Sequence, residues 1–98
     1  PNRFMKKIFT DQEIDYCRGR FPQIAARFAS KEAVMKALGT GIRGVPWKSI
    51  EVYRPRGKAP EIILHGNAKR KAEDLGIKQI AISISHSRNY AVASVVAI

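Results

Sequence analysis

The chain has 98 residues, 45% of them hydrophobic, and carries 18 lysines and arginines against 8 aspartates and glutamates, a formal net charge of +10. That length leaves room for one hydrophobic core, so we treat residues 1–98 as a single domain, and the apolar content excludes a disordered basic tail. The charge predicts an acidic partner, which could be DNA, RNA, an anionic membrane or an acidic protein.

The cysteine count and the hydropathy exclude further classes of protein. Cys17 is the only cysteine, so the chain has neither an internal disulfide framework nor a cysteine zinc cluster, and a reducing compartment is expected. The longest uncharged apolar stretch, residues 90–98, is far shorter than the about 20 residues that span a bilayer. We therefore expect a globular domain that does not cross a membrane.

The first predicted element is a short helix over residues 11–18. Thr10 and Glu13 have the spacing of a capping box, in which the threonine hydroxyl accepts the Glu13 amide and the carboxylate accepts the Thr10 amide. Gly19 marks the end of this helix.

A longer helix is predicted over residues 22–38. Pro22 suits its first turn, and Gly39 is the natural residue just past its end. Four apolar residues fall on one stripe at about 100° per residue. We expect that stripe to face the core; its members are Ile24, Phe28, Met35 and Leu38.

The chain beyond residue 45 has the pattern of short strands. Residues 50–53 and 62–64 are two strand candidates, and the turn residues at 55–58 separate them. A short helix is then predicted over residues 67–75, with an asparagine N-cap at its start and Gly76 at its end.

The clearest strand signal is the strict alternation of isoleucine with alanine or serine over residues 80–85. Residues 92–98 form a second strong strand candidate, and the loop at residues 86–89 is short enough for an antiparallel hairpin. The fold class is therefore α+β, with an antiparallel sheet packed on one long helix and accompanied by short helices.

Glu32 and Lys36 are the first candidates for chemistry. One helical turn separates them, so both side chains project from the same face of the long helix. For an arbitrary pair of this kind, the simplest interpretation is a surface ion pair worth about 0.3 to 0.5 kcal/mol. The alanines beside the pair would instead let a ligand or another backbone come close to a carboxylate and an ammonium.

Two other features could bind phosphate. The glycine, threonine and glycine at residues 39–41 permit close approach to phosphate oxygens, although they do not match a P-loop and a helix C-cap is the default explanation for one glycine. His86 stands in a polar loop with Ser87, where a histidine is most often simply exposed. Beside Arg27, Lys36 and the glycine turn, it becomes a candidate hydrogen-bond donor to a phosphate group.

Three motifs in this order resemble those of the holo-(acyl-carrier-protein) synthases, the small trimeric class of the 4'-phosphopantetheinyl transferase superfamily. They are RFASKEA with KALGTGI at residues 27–33 and 36–42, GKAP at residues 57–60, and ISISHS at residues 82–87, followed by Tyr90 and Ala91. The motifs cover nearly the whole chain at compatible spacing. The resemblance implies a 4'-phosphopantetheinyl-transferase-like α+β fold.

The resemblance implies an enzyme that transfers 4'-phosphopantetheine from coenzyme A to a serine of apo acyl carrier protein and releases adenosine 3',5'-bisphosphate, a cytoplasmic step of fatty acid biosynthesis. Glu32 would be a ligand of Mg²⁺, which prefers few carboxylates together with waters and substrate phosphates. Lys36 would neutralise charge on the pyrophosphate as the serine attacks. A glutamate or a metal-bound water could take the serine proton, and the residues do not decide between them.

The resemblance also assigns residues to the binding of coenzyme A. Arg27, His86 and Ser87 would hold the nucleotide end and its 3'-phosphate. Pro60 would lie near the adenine, and Gly39 would let the backbone pass close to the pantetheine arm.

An acidic carrier protein would account for the net charge. In the family a basic surface near the N-terminus receives the acidic helix of the carrier protein, and Arg3 matches one such position. Lys6 and Lys7 are nearby candidates, which could equally be a solvated face. The resemblance further implies a homotrimer with its active sites at the subunit interfaces.

The match fails at the N-terminus. The family begins with a strand of the pattern glycine, apolar residue, aspartate, apolar residue, whose aspartate is the second protein ligand of magnesium. This sequence begins with PNR at residues 1–3, and its acidic residues before Glu32 all belong to the predicted capped helix. We therefore expect these 98 residues to lack one strand of the sheet and half of the metal site, either because the chain is N-terminally truncated or because it is an inactive form.

Two other functions stay open. A small basic nucleic-acid-binding domain would explain the charge, but the sequence has no zinc-finger ligands, no aromatic RNP pattern and no clear basic recognition helix, since residues 69–71 are too short a run. It also leaves Glu32, the glycine turn and His86 unexplained, so no nucleic acid partner is expected. The second is a scaffold that keeps the fold and the trimer without catalysis. Glu32→Ala separates these functions, because it would abolish transfer only in an enzyme.

Overall fold

The computed structural model describes residues 2–41, 44–87 and 90–98, apart from the side chains of Asn2 and His86. The elements are α1 (Asn2–Ile8), α2 (Asp11–Cys17), α3 (Phe21–Ala37), a 3₁₀ turn (Trp47–Ser49), β1 (Ile50–Tyr53), β2 (Glu61–Leu64), α4 (Gly66–Asp74), β3 (Ile80–His86) and β4 (Ala91–Ala97). This order confirms the α+β class, and the observed boundaries of each predicted element lie within one residue of the predicted ones. Within the described ranges, none of the helices is long and apolar enough to cross a membrane.

The capping box at the start of α2 is confirmed. Thr10 Oγ1 accepts the Glu13 amide at 3.2 Å, and Glu13 Oε1 accepts the Thr10 amide at 2.9 Å. The helix ends at Arg18, whose φ of 49° is left-handed, and Gly19 continues the turn with a φ of 73°. Local sequence signals therefore define both ends of this helix.

Helix α1 has no counterpart among the predicted elements. It has seven residues and no acidic residue in its first turn, so local signals for a helix are weak. Tertiary contacts hold it in place. The ring of Phe4 lies 6.4 Å from that of Phe28, which in turn stacks on Trp47 at 4.9 Å, and Ile8 is buried.

The strands form two antiparallel ladders. β1 pairs with β2, beginning with Ile50 opposite Leu64. β3 pairs with β4, beginning with Ile80 opposite Ala97, and this second ladder is the predicted hairpin. Helix α3 packs against both ladders, chiefly through β4.

The hydrophobic core lies where α3, β1 and α4 meet. Its buried members are Val34, Met35, Leu38, Val45, Ile50, Ala68 and Ala72. Of the stripe predicted for α3, Met35 and Leu38 are buried as expected. Ile24 and Phe28, however, are only half-buried. The buried face instead includes Lys31, because α2 and β1 cover that side of the helix.

Helix α4 begins at a different N-cap from the predicted one, since His65 takes that position rather than Asn67. The His65 carbonyl accepts the amides of Ala68 at 3.1 Å and Lys69 at 3.3 Å. The His65 amide donates to the Ser49 carbonyl at 2.8 Å. This tertiary bond fixes the start of the helix upstream of the asparagine.

Candidate functional site

A cleft of about 650 Å³ lies between the C-terminal half of α3 and the start of β4. We call it the Glu32 cleft; its lining residues are Ala29, Glu32, Ala33, Met35, Lys36, Gly39 and Gly41 on the helix side and Ala91, Val92 and Ala93 on the strand side. The structure therefore brings three of the predicted site residues together. These are Glu32, Lys36 and Gly39.

Glu32 and Lys36 both present exposed side chains. Within the described part of the chain, neither side chain forms a hydrogen bond or an ion pair, so the surface ion pair considered from the sequence is not formed. A carboxylate and an ammonium thus stand free on one face of α3. Together they can bind a cation and a polyanion side by side.

Gly39 combines a structural role with a place in the cleft. Its φ is 73°, in the left-handed region that ends a helix. A Cβ added there would meet no atom within 4 Å, so conformation rather than crowding favours glycine. The open space beside the backbone lets a ligand pass close to it.

A buried ion pair lies next to Glu32 in the sequence. Lys31 Nζ is 2.8 Å from Glu13 Oε1, and both side chains are fully buried. The same ammonium donates to the carbonyls of Trp47 at 3.1 Å and of Ile50. Burial lowers the pKa of Lys31, and the attraction of Glu13 opposes that shift. Acceptors on α2, the 3₁₀ turn and β1 therefore fix the residue that precedes Glu32.

The network continues from this ion pair towards the surface. Glu13 Oε2 accepts the Val52 amide at 2.8 Å, and Thr10 Oγ1 donates to Glu51 Oε2 at 2.6 Å. Glu51 Oε1 lies 2.9 Å from His65 Nε2. Burial would raise the pKa of Glu51, but the hydrogen bonds from Thr10 and His65 outweigh it, so the pKa is lowered. We call this chain of contacts the polar network; its side chains are those of Lys31, Glu13, Thr10, Glu51 and His65.

The sequence patterns do not reveal the polar network. Glu13 is recognisable as a capping residue, but its second role as the partner of a lysine is not. The strand predicted over residues 50–53 does not by itself reveal that the Glu51 side chain is buried. The available signal is that Lys31 shares a helix face with the apolar Val34, which indicates a buried charge in need of a partner.

A second cleft, of about 290 Å³, brings Arg27 and Pro60 together. We call it the Arg27 cleft, and its other polar lining residues are Tyr16, Gln23, Arg54 and Ser83. Two residues predicted to hold the nucleotide end of a ligand are thus neighbours, although they lie on α3 and on the loop before β2.

Arg27 is almost completely buried, with 5% of its surface exposed. Its guanidinium carbon lies 4.1 Å from the centre of the Tyr16 ring, and Nη1 donates to the Gln23 carbonyl at 3.5 Å. Its Nε has no hydrogen-bond partner among the residues that the structure describes. A buried guanidinium with spare donors favours the approach of an anion.

The two clefts lie on different faces of α3. Arg27 and Glu32 are five positions apart, which corresponds to about 140° around the helix axis and about 7.5 Å along it. The chain therefore presents the predicted nucleotide residues and the predicted acid on separate surfaces.

The hairpin residues predicted to bind phosphate are only partly described. His86 is the last residue of β3, but its side chain lies outside the described residues. Ser87 is exposed, and its amide donates to the Tyr90 carbonyl at 2.8 Å, which closes the hairpin. The predicted roles of both residues stay predictions.

The predicted partner surface lies on α1. Arg3, Lys6 and Lys7 are all exposed, and their spacing of three and four residues places them on one side of the helix. Phe4, beside them, is 53% exposed and rests against Phe28. The surface combines three cations with an accessible ring.

The donor set for a metal is small. In the described ranges, no group of three or more potential metal-ligating side chains comes together. Glu32 supplies a carboxylate to the Glu32 cleft. Mg²⁺ needs only one or two protein carboxylates when waters and substrate phosphates complete its coordination. The cleft therefore fits a metal that is shared with a phosphorylated ligand.

Sequence comparisons with known proteins agree on one family. The sequence model of the 4'-phosphopantetheinyl transferase superfamily matches residues 1–95. The holo-[acyl-carrier-protein] synthase of Koribacter versatilis is 46% identical over 99 residues, an alignment that covers 97% of this chain and 79% of the relative. The synthase of the same name from Solibacter usitatus is 48% identical over 99 residues, with the same two coverages.

Solved structures agree with this result. The crystal structure of the Helicobacter pylori holo-[acyl-carrier-protein] synthase, in complex with coenzyme A, matches with a TM-score of 0.86 and 33% identity. The match covers 98% of this chain and 82% of that chain. This chain thus spans about four fifths of the length of these relatives.

Proposed function

This chain belongs to the 4'-phosphopantetheinyl transferase superfamily, as its motifs predict, and we propose that it transfers 4'-phosphopantetheine from coenzyme A to a serine of apo acyl carrier protein. The Glu32 cleft carries the proposal. An exposed carboxylate, an exposed ammonium and a left-handed glycine meet there. The activity named for the relatives and the coenzyme A in the Helicobacter pylori structure support the same donor and acceptor.

In the proposed reaction, the serine oxygen attacks the phosphorus that bears the pantetheine arm. A new phosphorus–oxygen bond forms, and the bond to adenosine 3',5'-bisphosphate breaks, with the electron pair leaving on that product. A base removes the serine proton. Lys36 neutralises the negative charge on the pyrophosphate oxygens, and fixed charges of this kind supply most of the stabilisation in phosphoryl-type transfer.

Glu32 would hold Mg²⁺ together with the pyrophosphate. When bound, the metal supplies positive charge that neutralises the phosphate oxygens. Glu32 is placed for this by the polar network, because its neighbour Lys31 is anchored to Glu13 and to two backbone carbonyls. The network thereby limits rotation of this part of α3.

We assign the nucleotide end of coenzyme A to the Arg27 cleft, with the 3'-phosphate at Arg27, His86 and Ser87 and the adenine near Pro60. A homotrimer with active sites at its interfaces would join this cleft of one subunit to the Glu32 cleft of the next. The separation of about 140° between the two clefts on α3 supports that arrangement. So do the exposed apolar residues on and beside β4, which are Tyr90, Val92, Val96 and Ile98.

The acidic partner predicted from the net charge would be the carrier protein. Arg3, Lys6 and Lys7 would receive its acidic helix, while Phe4 offers apolar contact. We place the reaction in the cytoplasm as a step of fatty acid biosynthesis. Cys17 is the single cysteine of the sequence, and a chain without a disulfide framework suits a reducing compartment.

The test is to incubate the chain with coenzyme A, Mg²⁺ and apo acyl carrier protein and to analyse the carrier protein by intact mass spectrometry. We expect the phosphopantetheine adduct together with released adenosine 3',5'-bisphosphate. A non-catalytic scaffold would bind the carrier protein without forming the adduct. A nucleic-acid-binding domain would instead bind random duplex DNA with strong salt dependence and ignore the carrier protein.

A further inference from the structure

We propose that Arg54 and Tyr16 determine the ligand specificity of the Arg27 cleft, Arg54 by binding a phosphate monoester jointly with Arg27 and Tyr16 by holding the Arg27 guanidinium in place. This inference rests on the proposed function, in which the nucleotide end of coenzyme A enters this cleft. It adds two residues to which neither the motifs nor the family resemblance assigns a role.

The charge of Arg27 is unmatched among the described residues. Its side chain is 5% exposed, yet no carboxylate forms an ion pair with it in the described part of the chain. The Gln23 carbonyl at 3.5 Å is a long contact, and Nε is unpartnered among the described residues. A buried cation is costly unless an anion accompanies it, so the site favours an anionic ligand.

The ring of Tyr16 holds this guanidinium. Two arginines contact the Tyr16 ring, with the guanidinium carbon of Arg27 4.1 Å and that of Arg20 5.5 Å from its centre. Arg20 is itself anchored, because its Nε donates to the Cys17 carbonyl at 2.9 Å. Since Arg27 makes few hydrogen bonds, contact with the ring largely sets its orientation. Tyr16 is therefore a positioning residue.

Arg54 directly follows β1 in the chain. It is exposed and lines the Arg27 cleft together with Tyr16 and Arg27. The same three residues line a neighbouring cleft of about 260 Å³, but there Asp15 contributes a carboxylate. None of the described residues that line the Arg27 cleft contributes a carboxylate. Repulsion by Asp15 therefore directs an anion to the Arg27 cleft.

Two arginines match the charge of one phosphate monoester. Such a group carries about 1.5 to 2 negative charges at neutral pH, and its oxygens accept the paired donors of a guanidinium. Arg54 would not increase the affinity for a nucleotide that lacks the phosphate monoester. The ligand group is therefore a phosphate monoester, which under the proposed function is the 3'-phosphate of coenzyme A.

The experiment compares two probes, coenzyme A and 3'-dephospho-coenzyme A, by isothermal titration calorimetry with the full chain. Wild type should prefer coenzyme A. We expect Arg54→Gln to weaken coenzyme A binding about tenfold and to leave binding of the dephospho probe unchanged. Arg56→Gln is the matched control, because Arg56 is exposed in the following turn and lines neither cleft.

A second pair of variants tests Tyr16. Tyr16→Phe keeps the ring and should keep the preference for coenzyme A. Tyr16→Leu should lose it, at an unchanged affinity for the dephospho probe, whereas a merely structural role would weaken both probes alike. Arg54→Gln changes an exposed residue, so the inference stays testable even if Tyr16→Leu fails to fold.

The outcomes separate this inference from the proposed function. If wild type prefers coenzyme A and Arg54→Gln retains that preference in full, the role of Arg54 is wrong and the proposed function stands. Equal weakening of both probes by Arg54→Gln would place the bound anion at the pyrophosphate and overturn the inference. Failure of wild type to bind either probe would contradict the proposed function itself.

Discussion

Lys31 and Glu13 form an ion pair that is completely removed from solvent, with Nζ and Oε1 2.8 Å apart. Because Lys31 precedes Glu32, the pair ties the helix that carries the Glu32 cleft to α2. The carboxylate also binds the amides of Thr10 and Val52, so α2, α3 and β1 converge on one pair of charges. The position of the cleft on α3 therefore depends on buried polar contacts as well as on apolar packing.

Removal of one member of this pair should destabilise the fold strongly. We expect Lys31→Met to lower the free energy of unfolding by about 3 to 5 kcal/mol, because it leaves the Glu13 carboxylate buried without a cation. Urea unfolding measures the change. Lys58→Met, at an exposed lysine, should cost less than about 0.5 kcal/mol.

The double variant Lys31→Met with Glu13→Gln should recover part of that loss, because the buried site is then neutral. Equal unfolding free energies for Lys31→Met and Lys58→Met would show that the ion pair does not stabilise the fold.

Glu51 gives the fold an acid-dependent contribution. Burial would raise its pKa, but the hydrogen bonds from Thr10 and His65 and the attraction of His65 and Lys31 lower it below the ordinary value of 4.5. The unfolded chain therefore binds the proton more readily. The contribution of Glu51 is present above pH 4.5 and is lost as the pH falls through the folded-state pKa.

We expect Glu51→Gln to flatten the acid side of the stability profile and to lower stability at neutral pH. The measurement is the free energy of urea unfolding from neutrality to below pH 4.5. Glu61→Gln, at an exposed carboxylate on β2, serves as the control and should leave the wild-type profile nearly unchanged. If the free energies of unfolding of Glu51→Gln and wild type change in parallel with pH, Glu51 does not make the acid-dependent contribution.

Replacement of Gly39 should lower the free energy of unfolding, because its backbone conformation favours glycine. Its φ of 73° disfavours any residue with a Cβ, although the space beside it is open. We expect Gly39→Ala to lower the free energy of unfolding by about 1 to 2 kcal/mol and Gly39→Asn to cost less, since asparagine tolerates the left-handed region. Thermal and urea unfolding both measure this order. Equal stability of wild type and Gly39→Ala would be incompatible with the observed turn.

The basic surface of α1 should affect carrier protein binding in a salt-dependent way. Three exposed charge pairs, each worth a few tenths of a kcal/mol to about 1 kcal/mol, correspond to about tenfold in affinity. We therefore expect the combined Arg3→Gln, Lys6→Gln and Lys7→Gln variant to raise KM for apo acyl carrier protein about tenfold at low salt. The effect should fade near 1 M salt, where charges are screened within about 3 Å.

Helix α4 offers a control with the same loss of charge. Replacement of its three basic residues with glutamine should leave KM for the carrier protein close to wild type; these residues are Lys69, Arg70 and Lys71. Equal effects of the two triple variants would mean that net charge, rather than the surface of α1, steers the partner.

Local signals were sufficient for most of the fold and for the Glu32 cleft. Apart from α1, the elements are predicted to within one residue, on signals that include a capping box, three terminal glycines and the alternation over residues 80–85. Glu32, Lys36 and Gly39 come from one helix and its C-cap, so their spacing alone brings them together.

The remaining features depend on contacts between distant parts of the chain. The hydrogen bonds from Thr10 to Glu51 and from Val52 to Glu13 join residues 41 and 39 positions apart. The Arg27 cleft likewise joins α3 to the loop before β2. Periodicity cannot show such pairs, because it reports only which face of one element is apolar.

The most direct test of the account is the rate at which purified Glu32→Gln transfers phosphopantetheine to apo acyl carrier protein, measured by intact mass spectrometry with coenzyme A and Mg²⁺. Glu73→Gln, at an exposed glutamate on α4, is the matched control. We predict that wild type and Glu73→Gln form the adduct at similar rates, while Glu32→Gln loses at least about 10²-fold, as expected when a group that stabilises transition-state charge is removed. Transfer by Glu32→Gln at the wild-type rate would contradict the assignment of the Glu32 cleft as the active site.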